Sequence, residues 1–122
     1  MKKYTLQQKF WLFLLLNTVV WSLIPQLRLS LPMDTQEAIV WGKYCLWGTT
    51  KHPPFSGWIA YPFWLLFGRW DGAMYLLSQL FIVLSMAYIY RLARRFLSPN
   101  NAVLAALFQF GIIYYNFFQN FI

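Results

Sequence analysis

Three long apolar stretches without Lys, Arg, Asp or Glu constrain this sequence most: residues 10–27, 72–90 and 102–118. A helix that crosses the bilayer's hydrocarbon core needs about 20 consecutive, mostly apolar residues. We predict that each stretch spans a membrane. The fold class is therefore all-α integral membrane protein, with about three transmembrane helices in a single membrane domain over residues 1–122.

The charged residues support this class. Lys and Arg number 10 and Asp and Glu number 3, which gives a net charge of +7, while 60% of the residues are hydrophobic. Nucleic-acid-binding proteins gather basic residues on a polar face, and no face of this chain is polar enough to hold them, so we predict no nucleic-acid partner. Cys45 is the one cysteine and His52 the one histidine, which excludes a disulfide and paired-ligand zinc motifs.

The first apolar stretch has two readings, because a short basic N-terminus before an apolar run is also typical of a signal peptide. A signal peptide ends at a small-residue cleavage site. The residues around 24–28, Ile-Pro-Gln-Leu-Arg, contain no such site. We predict a retained first span.

Basic residues also predict the orientation, because short Lys- and Arg-rich segments stay on the cytoplasmic side. Six basic residues lie before the first span and after the second, with no acid near them: Lys2, Lys3, Lys9, Arg91, Arg94 and Arg95. We therefore predict a cytoplasmic N-terminus and one long external loop over residues 28–71. This loop carries every acidic residue of the chain.

We expect one or two short interfacial helices in the loop. Residues 55–67 are apolar but too short to span, and Pro62 should interrupt their helical hydrogen bonding, so they should lie along the outer membrane face. Residues 34–47 can form a second short helix. At about 100° per residue, this helix would place Asp34, Glu37, Trp41 and Tyr44 on one stripe.

Each of these side chains has a structural reading beside a functional one. Asp34 and Glu37 have the spacing of a helix N-cap and its capping-box partner. Lys51, His52 and Arg69 can anchor at lipid headgroups, and Trp41 fits an interfacial aromatic belt. Polar residues inside the spans are expected to bond to neighbouring helices; these are Gln79, Gln109 and Asn116.

The order of the motifs is more specific than any one of them. An acid after Leu31-Pro32-Met33 precedes a Trp- and Gly-containing helix, Lys51-His52-Pro53-Pro54-Phe55-Ser56-Gly57-Trp58, a short apolar stretch ending in Leu66-Phe67-Gly68, a span, and Arg91-Leu92-Ala93-Arg94-Arg95-Phe96. This order resembles the N-terminal part of the bacterial family 39 glycosyltransferases of the C superfamily, relatives of the protein O-mannosyltransferases and of the aminoarabinose transferase of lipid A.

The resemblance implies a multi-span enzyme of the bacterial inner membrane that takes a sugar from a polyprenyl-phosphate donor on the outer side and inverts the anomeric centre. Members of the family have more spans than this chain, so we expect an N-terminal fragment that is inactive alone. The acceptor is a hydroxyl group on a lipid, a glycan or a protein.

The resemblance also implies roles for single residues. Asp34 matches the catalytic carboxylate, and His52 matches the basic residue before Pro, with Lys51 one position earlier as the permanent charge for the donor phosphate. Arg69 is a further candidate for the phosphate, and Glu37 and Trp41 are candidates for other substrate contacts. No cofactor or metal site is implied, although Asp34 and Glu37 could hold a divalent cation with water.

A non-enzymatic reading competes with the glycosyltransferase. The chain could be a small multi-span assembly subunit or a transporter fragment, with its acids capping a surface helix and its loop docking on a partner. Transporters place ionisable residues within their spans. No predicted span contains Asp, Glu, Lys or Arg, which counts against transport and leaves the subunit open.

Overall fold

The computed structural model of the chain describes residues 4–27, 30–51 and 53–112. Within these ranges the secondary structure is helical and contains no strand. The helices are α1 (Leu6–Leu23, continued by a 3-10 turn at Ile24–Leu27), α2 (Met33–Lys43), α3 (Pro54–Leu66), α4 (Gly72–Ala93) and α5 (Pro99–Leu107, followed by a 3-10 turn at Phe108–Gly111).

Two of these helices are long and apolar enough to cross a membrane: Leu6–Leu27 and Gly72–Ala93, each of 22 residues. They correspond to the first and second predicted spans. α1 begins with a capping box, in which the Thr5 N–H donates to Gln8 Oε1 over 2.9 Å and the Gln8 N–H donates to Thr5 Oγ1 over 3.3 Å. These bonds satisfy two N–H groups that a helix otherwise leaves unpaired.

α1, α4 and α5 share one apolar core, built by Phe10, Leu14, Ile82, Met86, Val103 and Ala106. A hydrogen bond crosses it: Asn17 Nδ2 of α1 donates to Gln79 Oε1 of α4 over 3.2 Å. Gln79 is fully buried, so this bond offsets the cost of removing its amide from water. The prediction that Gln79 bonds to a neighbouring helix is confirmed.

The third predicted span is covered only in part. α5 begins at Pro99, where Ser98 caps it by accepting the Asn101 N–H over 3.4 Å. The 3-10 turn after α5 contains Gln109 and ends at Gly111. Residues 113–118 of the predicted span, with Asn116, lie outside the described residues, so this span stays a prediction.

The segment between the two long helices contains α2 and α3, and both end in the same way. Cys45 (φ 49°) and Gly68 (φ 65°) are left-handed. Leu46 donates its N–H to the Trp41 carbonyl over 3.1 Å, and Arg69 donates to the Trp64 carbonyl over 2.9 Å. These bonds define Schellman motifs, which stop a helix.

Two expectations for this segment were wrong. The helix predicted over residues 34–47 ends at Lys43, because Cys45 takes the left-handed conformation that usually falls to glycine. Pro62 does not interrupt α3, which continues through it to Leu66. A proline removes one backbone donor from a helix. In α3 the other backbone hydrogen bonds maintain the helix on both sides of Pro62.

α2 and α3 meet at two glycines. A Cβ atom on Gly42 would overlap the carbonyl oxygen of Gly57 and lie 2.5 Å from Tyr61 Cβ. A Cβ on Gly57 would lie 2.9 Å from the Gly42 nitrogen and 3.1 Å from the Ala38 oxygen. The two backbones therefore approach as closely as they do only because both positions are glycine.

We expect Gly42→Ala to destabilise the chain by about 1–3 kcal/mol, the usual cost of forcing an extra methyl into a packed contact. The methyl meets backbone, which cannot rotate away. Gly111→Ala is the matched control, since a Cβ there has nothing within 4 Å. Thermal unfolding in detergent, followed by circular dichroism, would measure both variants. Equal melting temperatures for the two would contradict the proposed contact.

Candidate functional site

An open cleft lies where α2, α3 and α4 meet, with a volume of about 480 Å³. Its walls are Asp34, Thr35, Ala38 and Trp41 of α2, Phe55, Ser56, Ile59 and Ala60 of α3, and Met74, Leu77, Ser78 and Phe81 of α4. Most of these side chains are apolar, and Asp34 is the one charged residue among them. Pockets of about 300–1,000 Å³ with mainly apolar walls and a few polar groups are typical of ligand sites.

Asp34 enters the cleft from the first turn of α2. Its interpretation as the helix N-cap is wrong, because Pro32 occupies the cap position and no side chain caps this helix. An acid in the first turn still interacts favourably with the positive end of the helix dipole. Among the described residues, no hydrogen-bond donor or cation pairs with Asp34, and its side chain is exposed. The carboxylate is therefore accessible to a molecule in the cleft.

Glu37 and Lys51 form an ion pair. Lys51 Nζ lies 3.0 Å from Glu37 Oε1 and 3.2 Å from Oε2, so both carboxylate oxygens accept from it. The pair joins α2 to the segment that precedes α3. Glu37 also lies one helical turn after Asp34, and residues three apart on a helix are neighbours on its surface. The pair therefore lies beside the Asp34 end of the cleft, although neither residue lines it.

The other predicted site residues are placed differently. Trp41 lines the cleft with Asp34, whereas Tyr44 lies past the end of α2 and is exposed. Arg69 is exposed in the turn after α3, in the left-handed region at φ 65°. His52 lies outside the described residues. The residues of the predicted stripe therefore have different surroundings. Asp34 and Trp41 line the cleft, whereas Glu37 pairs with Lys51.

A second aromatic pocket lies elsewhere on α2 and α3. Trp47 and Trp58 meet edge to face, with ring centroids 4.9 Å apart, and Trp58 Nε1 donates to the Leu46 carbonyl over 3.1 Å. Both rings help to line a pocket of about 320 Å³. This contact fixes two of the aromatic residues in the predicted external loop without bringing them to Asp34.

The sequence did not predict that α4 lines the cleft around Asp34. Met74, Leu77, Ser78 and Phe81 resemble any other residues of an apolar helix, and only the packing of α4 on α3 brings them to Asp34. Within the described ranges, His, Cys, Asp and Glu do not gather in any group of three or more that could hold a metal ion.

A comparison with known protein families gives a match. The family model of the dolichyl-phosphate-mannose-protein mannosyltransferases matches residues 51–121, more than half of the chain. The chain belongs to this family of membrane glycosyltransferases. The matched range contains Lys51, His52 and Arg69 and begins after Asp34, Glu37 and Trp41. No curated protein and no solved structure matches the chain.

We expect Ser78→Phe to weaken binding of a prenyl alcohol such as farnesol about tenfold, because the added ring fills the cleft. Tenfold corresponds to about 1.4 kcal/mol, less than two buried methylene groups. Leu80→Phe is the control, since Leu80 is on the same helix but outside the cleft lining. Competition against a photoreactive farnesol, with mass-spectrometric mapping of the labelled peptides, measures both. Labelling that does not involve α2, α3 or α4 would refute the cleft as the site.

Proposed function

We propose that residues 1–122 form the N-terminal part of a glycosyltransferase that moves a sugar from a polyprenyl-phosphate donor to a hydroxyl acceptor at the outer face of the bacterial inner membrane. The observation that carries the proposal is the α2–α3–α4 cleft, in which one accessible carboxylate, Asp34, faces a largely apolar lining. Membership of a glycosyltransferase family supports the reaction class.

The cleft suits a donor that is polar at one end and apolar along its length. Ile59, Leu77 and Phe81 offer apolar surface to isoprene units, each buried methylene contributing about 0.8 kcal/mol. The first turns of α2 and α3 bring Asp34 and Ser56 to the same cleft. The sugar would lie near these two residues, and Trp41 offers a ring face against which it could pack.

In the proposed reaction Asp34 acts as general base. The acceptor's O–H bond breaks and its proton moves to the Asp34 carboxylate, while the acceptor oxygen bonds to the anomeric carbon. The bond from that carbon to the phosphate oxygen breaks, and the polyprenyl phosphate leaves with the electron pair. One displacement of this kind inverts the anomeric configuration. The leaving phosphate requires no proton from the protein.

The departing phosphate gains negative charge, which a cation stabilises. We assign this role to Lys51, with His52 next to it in the sequence, and give Arg69 a secondary role. Lys51 already pairs with Glu37, so the phosphate would share the ammonium group with that carboxylate. The lysine side chain is 56% exposed, which leaves room for a second anion.

We expect Asp34→Asn to lower sugar transfer at least 100-fold in the enzyme that contains residues 1–122, because a general base contributes about 10²–10⁴-fold. Loss of labelled sugar from the lipid donor in membrane vesicles measures it. Asp71→Asn is the matched control: it removes the same charge from a carboxylate that instead accepts from Trp64 Nε1 over 3.4 Å. Unaltered transfer by Asp34→Asn would eliminate Asp34 as the base.

The external position of residues 28–71 is tested through Cys45. It is exposed and is the one cysteine of the chain, so labelling reports a single position. We expect a membrane-impermeant maleimide to label Cys45 in intact spheroplasts. The double variant Cys45→Ser, Arg95→Cys should react only after permeabilisation. The reverse pattern would put the loop in the cytoplasm and overturn the orientation.

A further inference from the structure

The ion pair between Glu37 and Lys51 places a negative charge beside the cation that the proposed function assigns to the donor phosphate. Both Glu37 oxygens lie within 3.2 Å of the Lys51 ammonium. The carboxylate is the less exposed partner, at 24% against 56% for the lysine. A phosphate that contacts the open side of Lys51 therefore experiences Glu37 directly behind the cation.

The two lipid phosphates of the reaction differ in charge. The donor is a phosphodiester, with the sugar on one oxygen and the prenyl chain on another, and carries one negative charge. The product is a phosphomonoester whose second pKa is about 6, so near pH 8 it carries almost two. Repulsion from a neighbouring carboxylate consequently acts more strongly on the product than on the donor.

We propose that Glu37 sets the donor-to-product preference of the phosphate subsite: it weakens binding of the dianionic polyprenyl phosphate more than binding of the monoanionic donor, and so promotes product release. The inference rests on the proposed function, since it takes Lys51 as the phosphate contact. Glu37 acts through charge at Lys51 and does not touch the reacting atoms.

Among the three acids, Glu37 is the one whose charge can be tested separately from the proposed catalytic base. Asp34 lies one turn away on α2 and acts in the same direction, but the proposed reaction already requires it as a base. Asp71 belongs to another pocket, which it shares with Trp64. Lys51 supplies the positive charge that Glu37 contacts. Glu37 is therefore the carboxylate that can be neutralised without removing the proposed base.

The experiment measures binding of two sugar-free probes to the enzyme that contains residues 1–122, in non-ionic detergent at pH 8. Farnesyl phosphate represents the dianionic product, and its methyl ester represents the monoanionic donor. Both carry the same apolar chain, so the ratio of their Kd values isolates the phosphate charge. Displacement of photoreactive farnesol gives each Kd.

We expect Glu37→Gln to shift the ratio about two- to fivefold in favour of the monoester, the upper part of the range for one exposed charge pair. Glu37→Asp keeps the charge and should retain the wild-type ratio. Asp71→Asn, with the same change in net charge, should also leave the ratio unaltered. This set separates a charge effect at Lys51 from a general change in net charge.

Other outcomes overturn the inference. If Glu37→Gln weakens both probes equally, Glu37 merely holds Lys51 in place, and the proposed function survives without the preference. An unchanged ratio has the same meaning. If farnesol binds the wild-type chain and a phosphate group adds no affinity, Lys51 is not a phosphate contact. If neither the probes nor farnesol binds, the proposed function fails together with the inference.

Discussion

The contact between Gly42 and Gly57 is the constraint on which the site depends. Two short helices can approach this closely only if no side chain stands between their backbones, and a Cβ at either glycine would meet backbone atoms of the other helix. This approach brings the first turns of α2 and α3 to one cleft, so that Asp34 and Ser56 share its lining. α4 packs against α3 and forms the third side of the cleft.

The long helices serve a different purpose. α1, α4 and α5 bury one apolar core, and a side-chain hydrogen bond from Asn17 to Gln79 joins α1 to α4. Their remaining surface is apolar as well: Leu15, Leu16 and Leu84 are each at least half exposed. In water such a surface would be a liability, whereas in a bilayer it is the ordinary outer face of a spanning helix. The exposed leucines are therefore what a membrane-spanning helix requires on its lipid-facing surface.

Sequence reasoning succeeded where a signal is local. Length and apolarity predicted the first two long helices, and a lone amide inside an apolar run predicted the bond of Gln79. It failed where the outcome depends on backbone conformation or on the path of the chain. Nothing in the residue type of Cys45 indicates a left-handed helix end. Pro62 alone predicts a break, although the hydrogen bonds of the neighbouring turns maintain α3. The pairing of Glu37 with Lys51 joins residues 14 positions apart, which no local signal indicates.

The three acids show why a carboxylate's role depends on its surroundings. In the sequence, Asp34, Glu37 and Asp71 all lie in one predicted loop. In the structure Glu37 forms an ion pair with Lys51, and Asp71 accepts a hydrogen bond from Trp64. Asp34 lines an apolar cleft and has no partner among the described residues. Both Glu37 oxygens accept from Lys51, whereas the Asp34 carboxylate is open to a hydroxyl group in the cleft. Glu37 is therefore better suited to adjusting the charge at Lys51, and Asp34 to receiving the acceptor's proton.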